Sequence, residues 1–162
     1  MDHLWAPWRL AYVRVAKTPS AEDACFLCEG IADKNDRFHL ISHRTAHSVV
    51  VLNKFPYNNG HLLIAPQQHK GRLNELTPEE LLDGLQTVQR AMTILDDLMQ
   101  PDGYNVGLNL GRAAGAGLPG HLHWHVVPRW NGDTNFMPVL SDVKVIVQSL
   151  DALYDLLQGR WN

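Results

Sequence analysis

Only two cysteines occur in the chain, Cys25 and Cys28, three positions apart in CFLC. That is too few for a disulfide-stapled scaffold, and in a reducing compartment the Cys-x-x-Cys spacing favours half of a metal site or a redox pair. A competing reading makes both small buried hydrophobes. Charge of one sign is also scarce: 14 Lys and Arg against 17 Asp and Glu leave a net charge of −3, so no basic field attracts nucleic acid through its phosphates. Long apolar runs are missing as well. VVVL at 49–52 is as long as any, far below the ~20 residues that a membrane-spanning helix needs. The opening MDHLWAPWRLAY has no uninterrupted apolar core of a signal peptide. The cytoplasm is therefore the expected compartment, with neither nucleic acid nor membrane as partner. No internal repeat or low-complexity tract is visible, which removes solenoids and long linkers. The 162 residues are read as one domain, 1–162, long enough to bury a substantial core.

What is present is patterned. HSVVVLN and GHLLIAP read as two strands joined by the turn-rich KFPYNN, an antiparallel pair by proximity. TPEELLDGLQTVQRAMTILDDLM reads as a helix: Thr77 and Glu80 form a capping-box signature, Pro78 takes the first helical position, and Pro101 stops the run. Leu81, Leu85, Val88, Met92, Leu95 and Met99 trace its apolar stripe. YNVGLNL and HLHWHVV follow as strands on either side of the glycine-rich GRAAGAGLPG, and a last helix is expected over about 141–158. These elements predict an α+β fold, an antiparallel sheet with a long helix and a C-terminal helix.

HLHWHVVPRW, residues 121–130, carries the chemistry. On an extended segment His121, His123 and His125 share one face, while Leu122, Trp124 and Val126 share the other. One histidine on a strand is usually a satisfied polar residue, but three in register gain little packing and risk mutual repulsion. Just before them Gly111, Gly115 and Gly117 leave room for backbone N–H groups to approach an anion. A flexible hairpin connection is the plainer reading of those glycines alone, since their spacing matches neither nucleotide-loop fingerprint. Adjacency to the imidazole row favours a phosphate held within reach of a histidine nitrogen.

HLHWHVVPR resembles the histidine triad superfamily, whose mark is His-x-His-x-His followed by apolar residues, often with Pro-Arg beyond. LNKFPYNNGHLLIAPQQH is similar to the family's nucleoside-binding strand pair and NLGRAAGAG to its phosphate loop, so the likeness spans roughly 25–130. LWAPWR, FPYNNGH, AGAG and PRWNGDTNFMP are similar to the branch of bacterial ATP adenylyltransferases, or diadenosine tetraphosphate phosphorylases. The resemblance implies covalent catalysis, in which a neutral imidazole takes the adenylyl group and so divides one phosphoryl displacement into two. It implies His123 as nucleophile, His125 as donor to a phosphate oxygen or the departing group, and His121 as the residue that orients His123. Asn53 matches the position that holds the ribose hydroxyls and Asn109 one that contacts phosphate. The amides of Gly115, Ala116 and Gly117 are expected to stabilise charge at phosphorus, and Trp130 to face adenine.

The chain also departs from the family pattern. Many members carry a Gln and a Ser or Thr before the triad, where this chain has GAGLPG. Side-chain donors are absent there, which agrees with the adenylyltransferase branch and argues against a simple phosphoramidate hydrolase. Zinc-bearing relatives imply a structural metal site of Cys25, Cys28, His69 and His121, four ligands that would close a tetrahedral shell.

The leading expectation is phosphorolysis of diadenosine tetraphosphate, an adenosine nucleotide as the small-molecule partner, by a homodimer or higher homo-oligomer. Hydrolysis of dinucleoside polyphosphates or adenosine phosphoramidates is the alternative. A non-catalytic nucleotide-binding or metal-binding module, the latter with all three triad histidines on one metal, is a further one. Whether a divalent cation accompanies the nucleotide is left open. His3, His39, His43 and His47 are assigned to the surface or loops, His61 to strand structure without chemistry, and Trp5 and Trp8 to packing.

Overall fold

In the computed structural model, residues 25–136 and 145–161 are described. LWAPWR with Trp5 and Trp8, His3, and the Met137 and Pro138 of PRWNGDTNFMP lie outside the described residues. A seven-residue helix, α1 (Phe26–Ala32), is followed by strands β1 (Ile41–Arg44), β2 (Ser48–Leu52) and β3 (Leu62–Pro66). Helix α2 (Pro78–Met99) then crosses to β4 (Gly103–Leu108) and β5 (Trp124–Arg129), and α3 (Leu150–Leu157) closes the order. The strands form one antiparallel sheet ordered β1-β2-β3-β5-β4. The expected α+β class is therefore observed.

β2 and β3 are buried along their whole length, as strands with both faces covered must be. Val50, Leu52, Leu62 and Ile64 meet Leu122, Trp124 and Val126 in one core with α2 and α3. Val49, Val51, Leu63 and Ala65 pack on the opposite face against Leu27 of α1 and Ile41. His125 pairs with Leu63, so it belongs to that second face.

The α2 boundaries follow from local chemistry. Thr77 accepts from the Glu80 N–H, the Glu80 carboxylate accepts from the Thr77 N–H, and Gln100 closes the helix in the left-handed region at φ 48°. Its buried face differs from the expected stripe. Glu80, Gly84, Thr87, Val88, Ala91, Ile94 and Leu95 face the sheet, while Leu81 and Leu85 are exposed. Small residues let the helix lie close to the sheet, and a Cβ at Gly84 would sit 2.9 Å from Trp124 Cζ3. Glu80 tolerates burial because Lys70 Nζ donates to both of its oxygens, at 2.7 and 2.6 Å. We expect Gly84→Val to cost about 1–3 kcal/mol by overpacking against Trp124. Thermal unfolding should register this as a fall of several degrees, and an unchanged melting temperature would contradict the packing.

Several boundaries are corrected. The histidine strand enters the ladder at Trp124, not His121, because the Leu122 N–H donates to the Lys70 carbonyl, beyond the end of β3, at 2.7 Å. YNVGLNL pairs over 103–108. The last helix begins at Leu150, where Ser149 caps the Ala152 N–H, and residues 145–149 before it are not helical. β1 is an additional strand, and it carries His43, whose ring stacks on Trp161 at 4.9 Å, so this histidine is half-buried and not in a loop.

Candidate active site and metal centre

His121 is fully buried at the end of this extended segment, and both of its nitrogens are engaged. Nε2 lies 2.8 Å from the Pro66 carbonyl. A carbonyl can only accept, so Nε2 carries the proton and Nδ1 keeps its lone pair. That lone pair faces Cys25 Sγ at 3.2 Å and Cys28 Sγ at 3.4 Å. His69 Nδ1 lies 3.2 Å from Cys28 Sγ. The four donor atoms lie within 4.8 Å of one another, the one such group among the described residues. Bonds of about 2.1 Å to nitrogen and 2.3 Å to sulfur around a tetrahedral ion would set its ligands roughly 3.5 Å apart, so the donor set fits a metal. Cys25 and Cys28 are only partly buried and aim at imidazoles, which replaces the reading of them as buried hydrophobes. Burial, with Cys25 adding to it, pushes the Cys28 thiol up to about 11, so a bound cation is what would draw off its proton.

His123 is buried and uses Nδ1 on the His121 carbonyl, at 2.8 Å. The same logic places the proton on Nδ1 and leaves Nε2 with the lone pair. Burial holds its pKa below the ordinary imidazole value. The ring is therefore neutral at pH 7, with a nucleophilic nitrogen.

The His125 ring lies 5.0 Å from that of His123, and its pKa is lowered to about 4 by burial and then by His123. Its tautomer is set from a distance. The Tyr57 N–H donates to His61 Nδ1 at 3.0 Å. The Asn53 amide, oriented by the Phe55 N–H on its Oδ1 at 2.9 Å, places Nδ2 3.1 Å from the same nitrogen. Two donors on Nδ1 leave the His61 proton on Nε2, which donates to His125 Nδ1 at 3.0 Å. His125 therefore holds its own proton on Nε2. The Asn109 amide lies 3.3 Å away through Nδ2; amide oxygen and nitrogen interchange by a flip, and the Nε2 proton selects the oxygen.

His61, expected to be structural, is thus fully buried and bonded directly to His125. Its place depends on β3 pairing with β5, which no short stretch of sequence reveals; that Leu63 faces His125 is the signal that points to it.

The glycine loop holds a short 3-10 turn, Arg112–Ala114, entered through Gly111 at φ 81° and left through Gly115 at φ 87°. Here the N–H groups of Ala114 and Ala116 donate to the Gly111 carbonyl and that of Gly115 to the Arg112 carbonyl. Ala116 is buried and Gly117 exposed. Trp130 lies five positions beyond His125, its indole N–H on the Met99 carbonyl at 3.3 Å. It lines a cavity of about 350 Å³ with Asn58, Asn59 and Asp133. The structure thus gathers Asn53, His61, His125 and Asn109 through hydrogen bonds, with His123 alongside, and leaves Trp130 at the far end of β5. His123 and His125 stand apart from the metal donors, which removes the reading of three triad histidines on one ion.

A buried imidazole row on an antiparallel sheet, following a glycine loop, defines a histidine triad protein. Residues 38–132 match the HIT domain family, and the chain belongs to it. It is 39% identical to the AP-4-A phosphorylase of Mycobacterium tuberculosis over 99% of this chain and 85% of that one. It is 33% identical to the asymmetrical bis(5'-nucleosyl)-tetraphosphatase of Schizosaccharomyces pombe, over 57% of this chain and 50% of that one. A Zn-bound histidine triad family protein from Mycobacterium smegmatis shares the fold, with a TM-score of 0.66 at 23% identity, covering 86% of this chain and 94% of that one. No helix among the described residues is long and apolar enough to cross a membrane.

Proposed function

We propose that this chain is an enzyme that transfers the adenylyl group of an adenosine nucleotide through a covalent bond to His123, and that its reaction is phosphorolysis of diadenosine tetraphosphate to ATP and ADP. The observation that carries the reading is the His123 ring, neutral and with its Nδ1 proton on the His121 carbonyl. Nε2 attacks the phosphorus nearest one adenosine. The P–O bond breaks, and ATP departs with the bonding pair. Phosphate oxygen then attacks the same phosphorus, the P–N bond breaks, and the lone pair returns to Nε2 as ADP forms. His125 Nε2–H stabilises the oxygen charge on the way. Asn53 holds the ribose, Asn109 and the Gly115, Ala116 and Gly117 stretch contact phosphate, and Trp130 contributes to nucleotide binding. The Gly115 and Ala116 amides, which now bond within the loop, must exchange those partners to serve phosphate.

The choice of acceptor follows from proton chemistry. Phosphate is an anion at pH 7 and needs no base to attack, whereas water does, and His125 with a pKa of about 4 is a poor base. A polyphosphate also departs without needing a proton. The identity to a relative named as a phosphorylase, over nearly the whole chain, supports the same reading.

Cys25, Cys28, His69 and His121 hold zinc in a structural role; the ion would fix the segment whose His121 carbonyl sets the His123 tautomer. The chain acts as one domain, 1–162, in the cytoplasm, as a homodimer; β4 at the sheet edge, with Val106 exposed, supports a second copy. A product assay on diadenosine tetraphosphate tests the acceptor. With added phosphate we expect ATP and ADP, and little turnover without it. ATP and AMP formed at one rate in both conditions would replace phosphorolysis by hydrolysis.

A further inference from the structure

Tyr57 has no part in the chemistry above beyond its backbone N–H, yet its ring lies against the reacting histidines. It stacks on His125 with centroids 5.6 Å apart and planes 19° from parallel, and meets His61 at 4.6 Å. With His123 and His125 5.0 Å apart, the rings run in order from His123 through His125 to Tyr57. A displacement at phosphorus sends its leaving group away from the nucleophile. His125 is the proton-bearing neighbour that the departing oxygen meets, so a departing nucleotide passes His125 toward Tyr57.

The ring is also held ready for a planar partner. Tyr57 is 42% exposed although it touches the buried His61 and the half-buried His125. Its loop is pinned by bonds from Phe55 N–H to Asn53 Oδ1, Tyr57 N–H to His61 Nδ1, and Asn58 Nδ2 to the Pro128 carbonyl. A rigid aromatic loses little freedom when a base stacks on it.

We propose that Tyr57 is a specificity-determining residue, its ring the stacking platform for the base of the nucleotide that departs from His123. The proposal rests on the reading of His123 as the adenylyl acceptor. It assigns the site a preference for donors whose leaving group carries a nucleoside.

The test compares two adenylyl donors, diadenosine tetraphosphate and ADP labelled in its β-phosphate. ADP releases only inorganic phosphate, and labelled phosphate is counted whether phosphate or water is the acceptor. Tyr57→Leu keeps an apolar side chain over His125 and the backbone N–H to His61, and Tyr57→Phe keeps the ring. We expect Tyr57→Leu to raise KM for diadenosine tetraphosphate about tenfold, as loss of one base–aromatic stack does, with ADP cleavage held within about twofold and Tyr57→Phe like the wild type. Equal losses on both donors would make Tyr57 a prop for His125 and overturn the proposal, as would no change on either, or a Phe variant that behaves like Leu. Wild-type protein that cleaves neither donor would overturn the reading of His123 and this proposal with it. Cleavage of both with a neutral Tyr57→Leu overturns the proposal alone.

Discussion

Turnover of diadenosine tetraphosphate is expected to fall by three orders of magnitude or more in His123→Ala, while nucleotide affinity should stay within a fewfold of the wild type. The asymmetry follows from the place of the ring. His123 lies buried between His121 and His125 and presents one unprotonated nitrogen, so its removal should delete the proposed covalent route and leave a single displacement between anions. The residues proposed to contact ribose and phosphate lie elsewhere, with Asn53 bonded to His61 and Asn109 to His125. The measurement is kcat beside a calorimetric Kd. Near-normal kcat would end the covalent account, and loss of binding in step with kcat would make His123 a binding residue instead.

Removing the proposed zinc is expected to lower the melting temperature by about 10 °C or more, at roughly 2–4 °C per kcal/mol for a chain of this size. α1 has only seven residues, too few to persist alone. Leu27 anchors it to the sheet, and the Arg44 guanidinium donates to the Gly30, Ile31 and Asp33 carbonyls. A further tie is the Cys-His cluster, which joins Cys25 to His121, 96 positions away, and Cys28 to His69, 41 away. Closing loops of that length is where a cross-link gains most. Elemental analysis of protein purified without added metal should find roughly one zinc per chain, and Cys25→Ser and Cys28→Ser should each lose it. Metal content and melting temperature that both survive these changes would remove the site.

How far the sequence could be read depended on how local the determining contacts are. The ends of α2 were legible because Thr77, Pro78, Glu80 and Pro101 act within one turn of the backbone. The histidine face was legible because alternation needs only an extended chain, and Leu122, Trp124 and Val126 do pack together on the other side. The buried face of α2 was not, because Leu81 and Leu85 fit a stripe as well as Gly84 and Ala91 do until Trp124 claims the space over Gly84. β1 is short and polar at three of its four positions, and the start of α3 turns on a single cap at Ser149. His61 is a matter of register between two strands more than fifty residues apart in sequence. The metal set lay between these extents: CFLC shows half of it, and His69 and His121 join only by resemblance or by the fold.

The most direct measurement is a rapid quench of the protein mixed with diadenosine tetraphosphate labelled in an adenosine-linked phosphate. A phosphorus–nitrogen bond to imidazole survives alkali and is cleaved by acid. The account predicts alkali-stable label that approaches one adenylate per active chain, mapped by peptide analysis to His123 and discharged as ADP when phosphate is added. Product formed with no label on the protein, or label on any residue other than His123, would contradict it.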